Sequence, residues 1–286
     1  MSAVLYVLIV LASVSQSWSG KAYNKKGGSS YLFNALKSGS ALIMFGIMSA
    51  YGFAFRWETL VFGAFYGVSL SLSMYSGYRA LVLGPMSLTS MLVSLSVIIP
   101  VVWGVSVRGE ELNAFKYAAF LLLVLALFLT NADKLKKGRE KENTNYPKWL
   151  FCIAVTFITN GVCSVLQKEY QVALPGGESD EFMFFAMLVS SLIYIPVCIF
   201  KSREEKARIG KSAWLGVFSG CMMGLASFFT LILAGFSSAS IMFPIISAST
   251  ILGALLCGRT VFREKLKLNH YIAMLFGVLT VVFMKI

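Results

Sequence analysis

Residues 87–130 read SLTSMLVSLSVIIPVVWGVSV, then RGEEL, then NAFKYAAFLLLVLALFLT: an apolar run of helix length, a charged knot, and a second apolar run. Residues 240–284 repeat the arrangement as SIMFPIISASTILGALLCGRTVF, REKL and KLNHYIAMLFGVLTVVFM. With Glu110 laid on Glu264, the two stretches align from Ser90 to Thr130 without a gap. Two such hairpins, half a chain apart, describe an internally duplicated membrane protein.

Composition agrees. Of 286 residues, 57% are hydrophobic and 13% charged, against about 45–50% and 25% in soluble domains. Mean hydropathy is +0.75. The net charge of +12 is scattered between apolar runs and builds no clustered basic face, so nucleic acid is not an expected partner. Cys152, Cys163, Cys198, Cys221 and Cys257 all lie inside apolar runs with no CxxC spacing. They read as small buried residues, not as a disulfide frame or zinc site. The single histidine, His270, opens the last apolar run and has no metal-ligating neighbours. Neither a metal nor a cofactor is expected.

A bilayer core needs roughly 20 apolar residues per helix. Ten runs meet that rule, at about 2–20, 31–53, 58–79, 87–107, 113–131, 148–169, 181–200, 212–233, 238–258 and 268–285. The first run is preceded by no positive charge and followed by Lys21, Lys25 and Lys26. That is the reverse of a signal peptide, so it is expected to be a retained span. Trp18, Trp57, Trp149 and Trp214 fall at expected span ends, where indole rings favour the headgroup zone. Lys37 lies inside the second run, where its stem is long enough to snorkel to the surface. The one long polar stretch, 132–147, reads as a charged cytoplasmic linker between two five-span halves, 1–131 and 148–286.

Charge sets an expected orientation. Only Arg56, Arg108, Lys116, Lys168 and Lys285 belong to even-numbered connections or termini; the other 20 of the 25 Lys and Arg residues belong to odd connections. The positive-inside rule then places odd connections in the cytoplasm and both termini outside. The expected location is the plasma membrane of a prokaryote. Five spans per half also make the second half enter from the opposite face, an inverted-topology repeat of the kind that builds many secondary transporters. The echo extends to the third and eighth runs, which share Phe-Gly-Ala-Phe-Tyr-Gly (Phe62–Gly67) and Leu-Gly-Val-Phe-Ser-Gly (Leu215–Gly220). The expected fold is therefore an all-α integral membrane protein, with ten transmembrane helices in two inverted five-helix repeats.

Further residues carry a resemblance. Tyr78-Arg79-Ala80-Leu81 leads into Gly84-Pro85-Met86-Ser87, then Pro100, then Gly109-Glu110-Glu111-Leu112. The second copy has Ser238-Ala239-Ser240 and Arg263-Glu264-Lys265-Leu266 in the matching places. Across nearly its whole length the chain resembles the drug/metabolite transporter superfamily, in its ten-helix form with two EamA-like repeats. The resemblance implies alternating access through a central cavity lined by spans 1, 3, 4, 6, 8 and 9. Small multidrug exporters of that superfamily carry a carboxylate in their first helix. Here the region holds Ser13, Ser15, Gln16 and Ser17, so a neutral or anionic metabolite is the expected cargo in place of a cationic drug.

No Asp or Glu lies near the middle of a span. Glu110 and Glu111 read as structural, with a carboxylate favoured at the start of the fifth helix by its dipole. The candidate substrate-binding residues are polar and uncharged: Gln16, Ser17, Tyr66, Ser69, Ser73, Ser94, Asn160, Ser247 and Thr250. Tyr66, Ser69 and Ser73 share one helix face by spacing. Gln16 and Asn160 occupy equivalent regions of the two halves and are costly to bury, which makes them an expected binding pair. Pro100 and Pro244 are candidate helix breaks. The competing reading for any Ser or Thr is helix packing with a bond back to the backbone.

The expected function is secondary transport of a small-molecule metabolite, with the lipid bilayer as the other partner. Flipping of a lipid-linked sugar is the alternative. An intramembrane lipid-modifying enzyme would need converging ionisable groups, and the spans do not supply them, so no enzymatic activity is expected. A homodimer is compatible with the sequence.

Overall fold

The computed structural model describes residues 2–26, 29–50, 52–83, 89, 92–137, 146–205, 212–261 and 267–286. Among them are ten helices and no strand: α1 (Ser2–Lys25), α2 (Ser30–Ser49), α3 (Trp57–Leu83), α4 (Leu92–Ser106), α5 (Ala114–Lys137), α6 (Tyr146–Ala173), α7 (Ser179–Glu205), α8 (Ala213–Ala234), α9 (Ala239–Thr260) and α10 (Leu268–Phe283). A 3-10 turn, Leu95–Val97, sits inside α4.

Seven of these helices, α1–α3 and α6–α9, are long and apolar enough to cross a membrane, the build of an integral membrane protein. The apolar parts of α4, α5 and α10 are shorter. At 1.5 Å per residue the 16 residues of α10 reach about 24 Å, against a hydrocarbon core of about 30 Å. Outward faces are apolar as well as inward ones. On α1, Leu5, Ile9 and Ala12 are buried while Val4, Val7 and Leu11 are exposed on the other side. A helix apolar all round suits a lipid environment.

Several helices outrun the expected spans. Helix α5 continues through Lys137, because polarity marks where lipid ends, not where helical hydrogen bonding ends. The expected linker, 132–147, therefore divides: its first six residues complete α5, and Tyr146 and Pro147 begin α6. Proline in a first turn sacrifices no helical bond. The rest of the linker, Gly84–Ser87 and Arg263–Leu266 lie outside the described residues.

The chain forms two compact units, each drawing on both sides of the linker. Unit 1 comprises residues 1–71 and 166–236. In it α8 packs on α1 and α2, and α7 on α2. Glycines set the approach. Along α8, Gly216 faces Leu36, Gly220 faces Ser40 and the Lys37 carbonyl, and Gly224 faces Met44 and Phe45. A Cβ at Gly220 would lie 2.0 Å from Ser40 Oγ and 2.2 Å from the Lys37 carbonyl oxygen. Ser40 Oγ crosses the seam to donate to the Val217 carbonyl at 3.1 Å. Along α3, Gly63 and Gly67 lie against α7, where a Cβ at Gly67 would stand 2.4 Å from the Ala186 carbonyl oxygen. This is small-residue packing, in which missing side chains let backbones meet.

Unit 2 comprises residues 72–165 and 237–286. Here α5 pairs with α10, and α9 packs on α4, α5 and α10. Thr280 Oγ1 donates to the Ala119 carbonyl at 3.2 Å across the buried α5–α10 seam. Gly161 of α6 receives Ile99 of α4, and Gly277 of α10 receives Leu252 of α9.

Candidate functional site

Glu110 is the first polar group whose surroundings differ from the expectation. It caps α9, not α5. Its Oε1 accepts from the Ala239 amide and its Oε2 from the Ser240 amide, both at 2.8 Å. Its own amide donates to the Gly104 carbonyl at 3.0 Å. A side chain on Gly104 would occupy the space of the carboxylate. Sequence spacing puts Glu110 next to α5, but the tertiary fold brings the bare amides at the start of α9 closer. The dipole argument holds for a different helix. His270 has a capping role too: its Nδ1 accepts from the Lys267 amide at 3.3 Å.

Unit 1 has its own network at the α6–α7 connection. Lys168 Nζ donates to the Ala234 carbonyl at the end of α8, at 2.9 Å. Gln167 Nε2 donates to the Ser227 carbonyl at 3.0 Å. Glu181, buried at the start of α7, accepts from the Ala54 amide. Arg56 and Glu178 approach to 3.5 Å. Lys37 departs from its expectation: it is only 8% exposed, so it does not snorkel. Its Nζ lies 6.0 Å from the centroid of the Phe33 ring.

A cleft lined by several hydroxyl-bearing residues lies in unit 2. It has a volume of about 370 Å³ and is lined by Ser73, Met74, Gly77 and Tyr78 of α3, Thr89, Val93 and Ser94 at the approach to and start of α4, and Thr156 of α6. Five of these eight residues carry a hydroxyl, and none carries a charge. Gly77 lets α6 come close, since a Cβ there would stand 3.3 Å from Thr156 Cγ2. The Ser76 and Thr156 hydroxyls consequently meet at 2.8 Å. Thr156 also reaches the Cys152 carbonyl at 2.8 Å, and Ser76 the Leu72 carbonyl at 2.6 Å. Each hydroxyl has one proton to give and more than one acceptor for it. Of the two, only Thr156 lines the cleft, and Ser76 holds it from behind. Thr89 is buried, and its oxygen accepts from Trp149 Nε1 at 3.0 Å, which fixes this wall.

Of the expected substrate residues, Ser73 and Ser94 come together on this cleft. Asn160 lies one turn beyond Thr156 on α6, outside the lining, and donates from Nδ2 to Ser96 Oγ at 2.6 Å. Ser247 and Thr250 are half-buried on α9. In unit 1, Gln16 and Ser69 are half-buried. Ser17 donates back to the Ser13 carbonyl at 2.9 Å. Tyr66 is buried against Phe182 with its Oη 3.4 Å from Ser227 Oγ. Pro100 and Pro244 are both buried. Helix α9 is continuous through Pro244, whereas the backbone just before Pro100 tightens into the 3-10 turn. Thr156 is absent from the residues expected on sequence grounds. The signal that could find it is position: four residues before Asn160, on the same face of α6.

No family model and no curated protein sequence matches the chain. The fold itself is shared. A protein of known crystal structure superposes with a TM-score of 0.79 over 99% of this chain and 95% of its own, at 15% identity. At that identity the likeness speaks for the fold alone.

Proposed function

We propose that the chain is a secondary transporter that moves a small, neutral or anionic metabolite by alternating access, built as ten spans in two inverted five-helix repeats of the drug/metabolite transporter type. The observation that carries the reading is the hydroxyl-lined cleft among otherwise apolar helices. Polar side chains within membrane-spanning helices tend to face the bundle interior or a cavity, and Ser73, Tyr78, Thr89, Ser94 and Thr156 gather on one opening. Its volume of about 370 Å³ falls in the usual range for small-ligand sites. A largely apolar lining that carries hydroxyls but no charged group suits an uncharged or oxygen-bearing ligand with apolar carbon better than a cation.

Repeat symmetry has support of its own. The two echoed hexapeptides supply the glycines that pack α3 on α7 and α8 on α2. The third span of each proposed repeat thus uses the same two glycine positions against the second span of the other. That correspondence supports the reading of an internal duplication.

Thermal unfolding of the purified protein against a panel of metabolites tests the reading. One chemical class should raise the melting temperature, and Thr156→Val should weaken that ligand by about tenfold, the worth of one hydrogen bond in a buried site. Stabilisation that is identical in wild type and Thr156→Val would rule out the cleft as the binding site.

A further inference from the structure

A second cavity of about 330 Å³ lies in unit 2, lined by Arg79 and Leu83 of α3 and by Pro147, Lys148, Phe151 and Cys152 of α6. Its composition is unlike that of the hydroxyl cleft: two cations and an otherwise apolar wall. Arg79 is four residues from the last described residue of α3, and Lys148 is the third residue of α6. Both charges sit at the ends of apolar spans, Arg79 next to the last residue of Trp57–Ala80 and Lys148 in the first turn of Tyr146–Ala173, where a membrane-embedded chain meets headgroups. The wall beside them is apolar and exposed. Phe151 is 70% exposed and Leu150 59% exposed. Tyr146 is also exposed and stacks edge-on against Trp149, an aromatic pair of the kind that marks a membrane interface. The start of α6 adds the positive end of a helix dipole.

We infer that this cavity binds the phosphate of an anionic phospholipid, with Arg79 and Lys148 on the headgroup and Leu83, Phe151 and Cys152 against the first methylenes of an acyl chain. A free anion would meet the same two cations but would leave the apolar wall, and the exposed Phe151, without a partner. A lipid satisfies both halves. Basic pockets between transmembrane helices take anionic headgroups in this way. The inference needs only a membrane-embedded chain; it does not depend on transport.

The test is native mass spectrometry of the full chain released from mixed phosphatidylglycerol and phosphatidylcholine. The wild type should retain phosphatidylglycerol with a preference on the order of tenfold, given the usual worth of a basic side chain near an anionic surface. Arg79→Gln with Lys148→Gln should abolish that preference. Arg79→Lys with Lys148→Arg should keep it, and so should Arg108→Gln with Lys116→Gln, which removes the same charge elsewhere. An unchanged preference in the Arg79→Gln, Lys148→Gln protein would overturn the inference. So would inorganic phosphate or glycerol 1-phosphate displacing the lipid at equal concentration, which would make this a site for soluble anions. If the double variant does not fold, a photoactivatable phosphatidylglycerol on the unaltered protein decides: crosslinks at Leu83 or Phe151 support the site, and crosslinks confined to other helices reject it.

Discussion

At the scale of the residue, Glu110 shows how a charge can matter without chemistry. Its two oxygens satisfy two amides that α9 cannot satisfy itself. Glu110→Ala should lower the stability of the detergent-solubilised protein by about 1–2 kcal/mol, the usual cost of a lost helix cap. Glu110→Gln should cost less, because one oxygen remains to accept. Equal melting temperatures for wild type and Glu110→Ala would mean that the carboxylate has no share in holding α9. That this glutamate is structural is legible in the sequence, since it sits in a short knot at a helix end. Which helix it caps is not, because the partner amides belong to Ala239 and Ser240, far along the chain. The cleft divides in the same manner. Ser73 and Ser94 can be picked from polarity on apolar spans, while Thr156 emerges only where α3 and α6 meet at Gly77. Lys37 breaks its expectation because a long side chain near a helix end snorkels only if nothing covers it, and coverage is a tertiary property.

At the scale of the element, the glycine rows carry the packing of unit 1. Gly216, Gly220 and Gly224 recur every four residues along α8 and turn one backbone-lined face to α2. Gly220→Leu would drive a side chain into the Lys37 carbonyl and Ser40. It should cost about 3 kcal/mol or more, read as loss of monodisperse protein on gel filtration. Gly39, also helical, has nothing within 4 Å of the point where a Cβ would sit. Gly39→Ala should leave the melting temperature unchanged or slightly raised, as helix propensity alone dictates. A well-folded Gly220→Leu protein would contradict the seam as described. The repeated hexapeptides are visible in the sequence as an echo. Their meaning is not, because an echo identifies equivalent positions without naming the surface each one meets. Helix existence is likewise legible from apolar length, and helix ends are not, as the polar extension of α5 to Lys137 illustrates.

At the scale of the whole molecule, an all-helical membrane fold, shared with a crystallised protein at 15% identity, underlies the proposed function. The proposed orientation rests on the charge bias, with both termini outside. A reporter active only in the cytoplasm, fused after Ile286, should therefore be silent, and one inserted in the 138–145 stretch should be active; the opposite pattern would invert the assignment. The central claim is transport through the hydroxyl cleft, and flux in proteoliposomes tests it most directly. The compound class that stabilises the purified protein should exchange across the membrane with saturation and without nucleotide. Thr156→Val, folded and inserted to the same level, should slow that exchange by about tenfold. Binding without exchange, or exchange at the wild-type rate in Thr156→Val, would contradict transport by this route.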